Sequence, residues 1–317
     1  NAGIDVWLLD LPSDGEDVNM LSGKGLERLK DPDMPGLMSK EAQNLINLGN
    51  TRDHFHELAD CDWIAEAVVE RLDIKQSLYK KLNDSCKKST IITSNTSTIP
   101  IKLLTEGMPI EFCERFAITH FFNPVRFMRL LELVRGEFTR DDVISTLHEF
   151  SEIKLGKGVV PCSDTPGFLA NRVGVFAIQC ALHNAFELGL SPTEADAFFG
   201  RPLGLPKTGV FGLYDLIGID LMADVVKSLV SILPEDDAFH KYSAPIDFMT
   251  KMIANGQTGN KNDKGFYKQD GDGKKVINLS NGDYVPHERL KAPLLEIAEK
   301  NGVSEILNDN GPYGLYI

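Results

Sequence analysis

A histidine and a glutamate, His120 and Glu132, are the residues of this sequence best suited to move a proton. His120 lies near the end of an apolar, β-prone run at 115–122, which predicts a buried strand. Pro124 cannot donate to a strand ladder, so the strand must end close to it. Because ligands of open α/β sheets bind at the carboxyl ends of the strands, His120 is a candidate site residue.

Glu132 stands inside a second apolar run, at 130–134, where a carboxylate is costly unless it is paired. In the functional interpretation the intervening turn brings Glu132 opposite His120, and a histidine oriented by a buried carboxylate is a general base. In the alternative interpretation His120 is a core residue with a local hydrogen bond and Glu132 faces solvent. Residues 115–134 alone do not decide between the two.

The composition restricts the class of protein. A length of 317 residues predicts about two domains, and 42% hydrophobic and 25% charged residues are ordinary for a globular protein. The net charge of −13 argues against nucleic acid as the main partner. No apolar run reaches ~18 residues, so the sequence predicts no membrane span.

The cysteines are scattered along the chain. There are five of them, with no C-x-x-C pair and no cluster with histidine. This pattern predicts reduced packing residues in a cytoplasmic protein and no metal site.

Strand and helix patterns alternate along the first half of the chain. The predicted strands lie at 4–10, 62–70, 89–94, 115–122 and 130–134, and the predicted helices at about 25–30, 39–48, 73–86 and 139–154. Such alternation is typical of an α/β fold with a doubly wound parallel sheet. After Asp164-Thr165-Pro166-Gly167-Phe168 the pattern is helical, so we predict an α/β domain at 1–162 and an all-α domain at 163–317.

Two polar segments at predicted strand ends are candidate binding sites. Asp10 ends the first strand, where a dinucleotide-binding unit carries the acid that binds the adenosine ribose. The glycine loop that should precede such an acid is absent, so an ordinary loop start is favoured locally. Residues 94–97, Ser-Asn-Thr-Ser, form either a loop rich in hydroxyl and amide groups or simply the cap of the next helix.

Taken together and in order, these segments resemble the L-3-hydroxyacyl-coenzyme A dehydrogenase family. The resemblance rests on Ser94-Asn95-Thr96-Ser97, His120-Phe121-Phe122-Asn123-Pro124, Glu132, Asp164-Thr165-Pro166-Gly167-Phe168, Asn171-Arg172 and Gly265-Phe266-Tyr267. The resemblance covers about residues 1–270. Within the family, the sequence is most similar to the dehydrogenase part of bacterial multifunctional fatty-acid oxidation enzymes.

The resemblance implies a set of roles for individual residues. His120 would be the general base, and Glu132 would orient it and stabilise its imidazolium form. The implied substrate-binding residues are Ser97, Asn123 and Asn171, and the implied NAD-binding residues are Asp10, Glu70, Lys75 and Asn95. The implied reaction is NAD-dependent oxidation of L-3-hydroxyacyl-CoA to 3-ketoacyl-CoA in fatty-acid β-oxidation. The resemblance also allows pairing of two copies through the helical domain and fusion to an enoyl-CoA hydratase domain.

The sequence departs from the family pattern at two places. No G-x-G-x-x-G loop or preceding strand is present, so we expect a Rossmann-like domain that is incomplete at its N-terminus and a chain that is cut at both ends. Residues 259–264, Gly-Asn-Lys-Asn-Asp-Lys, also differ from the family, which puts the closing loop of the helical domain in doubt. Two other functions therefore remain open: a related dehydrogenase of free 3-hydroxy acids, and a non-catalytic module deficient in its cofactor.

Overall fold

The computed structural model describes residues 1–271, 273–301 and 303–317. The chain divides into two compact units, Asn1–Leu169 and Ala170–Ile317. Within the described ranges, no helix is both long enough and apolar enough to cross a membrane.

The first unit is built from mostly parallel strands and intervening helices, as the alternation predicted. Its strands are β1 (Val6–Asp10), β2 (Ile46–Asn50), β3 (Trp63–Glu66), β4 (Ile91–Ser94), β5 (Phe116–Phe121), β6 (Leu130–Arg135) and β7 (Gly158–Cys162). Its α-helices are α1 (Met20–Arg28), α2 (Leu72–Ser85), α3 (Ile101–Leu104), α4 (Ile110–Cys113) and α5 (Asp141–Ile153), and 3₁₀ turns span Lys40–Leu45 and Phe55–Asp60.

The strands of the first unit form two sheets in the described part of the chain. One is the parallel pair β1–β2, and the other has the order β3-β4-β5-β6-β7. The five-stranded sheet is parallel except at β5–β6, which run antiparallel. The reason is the connection at 122–129, which is too short for a parallel crossover and returns the chain beside the strand it has just left. The prediction of a parallel sheet is therefore corrected at this one pair.

The sequence prediction missed β2. Residues 39–48 were predicted to be helical, whereas only Lys40–Leu45 form a 3₁₀ turn and Ile46–Asn50 pair with β1. Gly49 lies so close to the neighbouring strand β1 that an added Cβ would be 2.7 Å from Leu9 Cδ2. Tertiary pairing of this short segment overrides its weak local preference.

The two faces of the five-stranded sheet carry separate cores, because successive strand residues point to opposite faces. Phe116 and Ile118 of β5, with Val134 of β6, pack in one cluster with residues of α2, α3 and α4. Ala117 and Leu133 lie in the other cluster, against residues of α5.

The second unit is mainly helical, as predicted. Its α-helices are α6 (Ala170–Glu187), α7 (Pro192–Phe198), α8 (Phe211–Ile217), α9 (Ile219–Ile232), α10 (Asp247–Ala254), α11 (Pro293–Asn301), α12 (Ser304–Leu307) and α13 (Pro312–Tyr316), with 3₁₀ turns at Arg201–Leu203, Ala238–Tyr242 and Asn260–Asn262. An antiparallel sheet of β8 (Tyr267–Asp270), β9 (Gly273–Ile277) and β10 (Tyr284–Pro286) is added to the predicted helices. These strands are short and include polar segments such as Tyr-Lys-Gln-Asp at 267–270, so they lack the apolar pattern that indicated the other strands.

The segment 259–264, which departs from the family pattern, forms a closed loop. The Gly259 N–H donates to the Lys264 carbonyl at 2.8 Å. The buried Asp215 carboxylate then accepts from the N–H groups of Phe266 (2.8 Å) and Tyr267 (2.7 Å). Burial raises the pKa of Asp215 to about 6, and the two backbone donors oppose that shift.

Candidate active site

His120 and Glu132 lie directly opposite each other on β5 and β6. The strand alternation that sends Phe116 and Ile118 to one face sends His120 there too, and Glu132 shares that face with Val134. The turn between β5 and β6 therefore places Glu132 opposite His120, as the functional interpretation of the sequence required. His120 is 5% exposed and Glu132 is fully buried.

The contact between the two side chains fixes the tautomer of the imidazole. His120 Nδ1 lies 2.6 Å from Glu132 Oε2. A carboxylate oxygen can only accept, so Nδ1 carries the proton and donates it to Glu132. The lone pair of the neutral ring is then on Nε2, and Ser97 Oγ lies 3.0 Å from that atom. Nε2 is thus the basic atom of the site.

The second oxygen of Glu132 is also satisfied. Oε1 accepts from the Leu169 N–H at 2.9 Å and lies 3.8 Å from Cys162 Sγ. Burial, together with the adjacent Glu132 carboxylate, raises the pKa of Cys162 to about 11, so this thiol stays protonated as a weak donor. Because both oxygens of Glu132 have donors, the carboxylate is held in one orientation.

Two phenylalanine rings flank the imidazole. The Phe122 ring centroid lies 4.5 Å from that of His120 and the Phe168 centroid 5.7 Å, both in edge-on arrangements. These apolar walls lower the local dielectric and so strengthen the His120–Glu132 interaction.

The polar loop after β4 reaches the same place because it is tied to β5. Asn95 Oδ1 accepts from the Phe121 N–H at 2.9 Å. This bond holds the loop against the end of the histidine strand and brings Ser97 to Nε2. Asn123 lies just beyond β5 and is exposed to solvent. Asn171 lies in the first turn of α6, in the second unit, and is half-buried.

Of the residues predicted to bind NAD, Asp10 ends β1, Glu70 and Asn95 follow β3 and β4, and Lys75 lies in α2. Asp10 is the last residue of β1 and exposed; its carboxylate accepts a hydrogen bond from the Leu11 N–H at 2.7 Å. Glu70 follows β3; it accepts from Thr96 Oγ1 and from the Ser97 N–H, the latter at 3.2 Å. Burial raises the pKa of Glu70, but the bond from Thr96 and the nearby Lys75 outweigh it and keep the pKa below its usual value.

Lys75 is enclosed rather than open to a groove. Its ammonium lies 2.7 Å from Glu66 Oε1 and 3.3 Å from Glu70 Oε2, and its side chain is 1% exposed. In the observed contacts, Lys75 binds the carboxylates of Glu66 and Glu70. A contact between Lys75 and a cofactor stays a prediction.

Sequence reasoning missed Glu66, the centre of a buried polar network at the end of β3. Besides Lys75, its carboxylate accepts from Tyr79 Oη at 2.5 Å and Ser94 Oγ at 2.7 Å. Burial, followed by the proximity of Glu66, raises the pKa of Tyr79, so its hydroxyl remains a donor. The signal was present, because Glu66 ends an apolar strand and the argument applied to Glu132 applies equally to it.

Replacing Lys75 with methionine should destabilise the protein strongly. The substitution keeps most of the aliphatic stem but leaves the buried Glu66 carboxylate without its cation, which typically costs about 3–5 kcal/mol. Urea unfolding at 25 °C measures the change in free energy of unfolding. Lys80→Met, on the exposed side of α2, is the matched control and should change it by less than about 0.5 kcal/mol. Equal losses in the two variants would contradict the role given to the ion pair.

The observed groups fit a nicotinamide dinucleotide. Asp10 leaves an accessible carboxylate for a ribose hydroxyl, and β5 and β6 of the same unit carry the buried acid–base pair that removal of an alcohol proton requires. Among the described residues, no cluster of histidine, cysteine, aspartate or glutamate could hold a metal ion. The fold and the site together define the class of NAD-dependent dehydrogenases.

Comparisons with known proteins identify the family. The NAD binding domain of 3-hydroxyacyl-CoA dehydrogenase matches residues 1–165, and the C-terminal domain of the same enzyme matches residues 167–269. The chain belongs to the 3-hydroxyacyl-CoA dehydrogenase family. The predictions of family, fold class and nicotinamide cofactor are thereby confirmed.

Individual relatives agree with this assignment. A "Putative fatty acid oxidation complex trifunctional enzyme" of Rickettsia prowazekii is 38% identical over 321 residues, which cover 100% of this chain and 44% of that protein. A "Probable 3-hydroxyacyl-CoA dehydrogenase" of Deinococcus radiodurans is 39% identical over 275 residues, covering 86% of this chain and 78% of the relative. The chain thus spans less than half the length of the trifunctional relatives.

Solved structures share the fold. The crystal structure of 3-hydroxybutyryl-CoA dehydrogenase from Escherichia coli has a TM-score of 0.69 at 28% identity, over 84% of this chain and 55% of that one. The crystal structure of Mycobacterium tuberculosis FadB2 has a TM-score of 0.70 at 28% identity, over 84% of this chain and 91% of that one.

Proposed function

We propose that this protein catalyses the NAD-dependent oxidation of L-3-hydroxyacyl-CoA to 3-ketoacyl-CoA in fatty-acid β-oxidation. The observation that carries the proposal is the buried His120–Glu132 pair, with Nδ1 engaged at 2.6 Å and the basic Nε2 facing Ser97. Family membership supplies the reaction class, and this pair supplies the group that such a reaction needs.

The proton step follows from the tautomer. His120 Nε2 takes the proton of the substrate's 3-hydroxyl group, and the ring becomes an imidazolium with both nitrogens protonated. Glu132 stabilises that cation through the bond it already makes to Nδ1. Because Glu132 is held by the Leu169 N–H, the carboxylate needs no reorganisation as the charge develops.

A bound NAD would supply the acceptor for the hydride that leaves C3 as His120 removes the hydroxyl proton. We infer that Asp10 binds the adenosine ribose, and that Glu70, Lys75 and Asn95 complete this groove, Lys75 by holding Glu70 in place. An acid at Asp10 would repel the 2′-phosphate of NADP, which favours NAD.

Three polar residues are proposed to hold the substrate. Ser97 is close enough to Nε2 for its hydroxyl to bind the same oxygen that His120 deprotonates. Asn123, at the end of the histidine strand, and Asn171, at the start of α6, are assigned to the substrate by the family resemblance.

Proposals about the assembly come from the relatives. The trifunctional relatives are consistent with fusion of this dehydrogenase to an enoyl-CoA hydratase in a longer protein. Pairing of two copies through the helical domain and a cytoplasmic location are further proposals. Sedimentation velocity of the purified chain tests the pairing.

Titrating two substrates in one assay tests the proposed function. We expect kcat/KM for 3-hydroxybutyryl-CoA to exceed that for free 3-hydroxybutyrate by about 100-fold or more, because binding energy from the remote coenzyme A part lowers the barrier at C3. The measurement is NADH formation followed at 340 nm, with NADP in place of NAD as the cofactor control. Equal values for the two substrates would favour a dehydrogenase of free hydroxy acids, and no NADH binding by fluorescence titration would favour the non-catalytic module.

A further inference from the structure

The connection between β5 and β6 contains a single tight turn at residues 124–128. The Pro124 carbonyl accepts from the N–H groups of Phe127 at 2.9 Å and Met128 at 3.0 Å. In the backbone hydrogen bonds described for this turn, neither the Val125 carbonyl nor the Met128 carbonyl is an acceptor. Such terminal carbonyls attract a cation, for the same reason that the last turn of a helix does.

Lys157, immediately before β7, supplies that cation. Its ammonium donates to the Val125 carbonyl and, at 2.8 Å, to the Met128 carbonyl. Lys157 as a residue is 9% exposed, and none of the ion pairs found among the described residues includes it. Burial lowers the pKa of Lys157.

The turn is connected to His120 through the three intervening residues, 121–123. Phe122, whose ring packs edge-on against the imidazole, and Asn123 lie between His120 and the turn. On the other side, the Gly158 N–H donates to the Arg129 carbonyl at 2.8 Å, just before the strand that carries Glu132. Residues 157 and 158 therefore hold this connection at Val125, Met128 and Arg129.

We propose that Lys157 is a positioning residue of the dehydrogenase reaction: its ammonium anchors the turn at 124–128 and thereby keeps Phe122 and Asn123 in place beside His120. This inference rests on the proposed function for its kinetic test and on the geometry alone for its spectroscopic test.

A second anchor makes the proposal testable without unfolding the turn. Arg126 Nη1 donates to the Leu37 carbonyl at 3.0 Å and also to that of Pro35. With this anchor and the backbone bonds of the turn retained, loss of Lys157 displaces the turn by a small distance. A displacement near 1 Å is enough to reduce the rate strongly when the affected groups orient a reacting atom.

The kinetic test compares Lys157→Met with Lys157→Arg and with Lys154→Met. Lys154 is three positions earlier and exposed, which makes it the matched control. We expect K157M to lower kcat/KM for 3-hydroxyacyl-CoA by about 10–100-fold, with KM for NAD within about twofold of wild type. K157R, which can still donate to both carbonyls, should recover most of the loss, and K154M should behave as wild type. A merely structural role would lower thermal stability without this selective loss.

The spectroscopic test does not depend on turnover. In protein labelled with ¹³C and ¹⁵N at histidine, the ring-proton shifts of His120 report the position of the Phe122 ring; they are assigned with His120→Gln. We expect these shifts to move in K157M and to be restored in K157R. Unchanged His120 shifts in folded K157M overturn the proposal, whether or not the wild type oxidises acyl-CoA. If K157M does not fold, Lys157→Gln carries the same expectations.

Discussion

Replacing His120 with glutamine is expected to lower kcat by about 10²–10⁴-fold, the range that a positioned general base contributes. Glutamine keeps a polar group of similar reach but has no basic nitrogen, so the 3-hydroxyl proton has no acceptor at the position of Nε2. The measurement is steady-state NADH formation from 3-hydroxybutyryl-CoA at saturating NAD.

The controls for this variant separate chemistry from folding and cofactor binding. His148→Gln, on the partly exposed face of α5, removes an imidazole outside the site and should retain full activity. The Kd for NADH should stay within about twofold of wild type in H120Q, because the predicted cofactor residues lie outside β5, the strand that carries His120. Full activity of folded H120Q would refute the assignment of His120 as the base.

Replacing Glu132 with glutamine should lower kcat by about 100-fold or more, with a smaller loss of stability. The amide cannot stabilise the imidazolium as a carboxylate does. It also offers one acceptor oxygen where two are used, so either the His120 Nδ1–H or the Leu169 N–H loses its partner. An unsatisfied buried donor costs about 1–3 kcal/mol, which urea unfolding should detect.

Two further variants define the part played by the charge. Glu132→Asp keeps the carboxylate but shortens its reach, and should lie between wild type and E132Q in kcat. Glu149→Gln removes an exposed carboxylate from α5 and should change neither kcat nor stability. If E132Q retains more than half of the wild-type kcat, the proposed stabilisation of the imidazolium is wrong.

The site was partly predictable because buried charges are costly. His120 near a strand end and Glu132 inside an apolar run were each conspicuous from the sequence, and pairing is the usual way in which such groups are tolerated. Ser97 could be suggested but not placed, since its position depends on the bond from the Phe121 N–H to Asn95. Glu66 was missed although the same reasoning applied to it.

Other members of the site have no sequence signal of their own. Lys157 precedes a strand like many surface lysines, and only the convergence of the Val125 and Met128 carbonyls gives it a distinct environment. Cys162 appeared to be one of several scattered cysteines. Its contact with Glu132 arises because β7 pairs with β6, which no local pattern indicates.

By itself, the sequence determined the α/β alternation and the later helical part, and it singled out His120 and Glu132 without deciding whether they pair, because hydrophobic periodicity and the cost of buried charge act locally along the chain. Only the tertiary structure decided the antiparallel direction of β6, the strand at 46–50, the small sheet at 267–286 and the enclosure of Lys75. Those features depend on which segments meet across long stretches of chain, and such contacts are set by packing and strand pairing rather than by local preference.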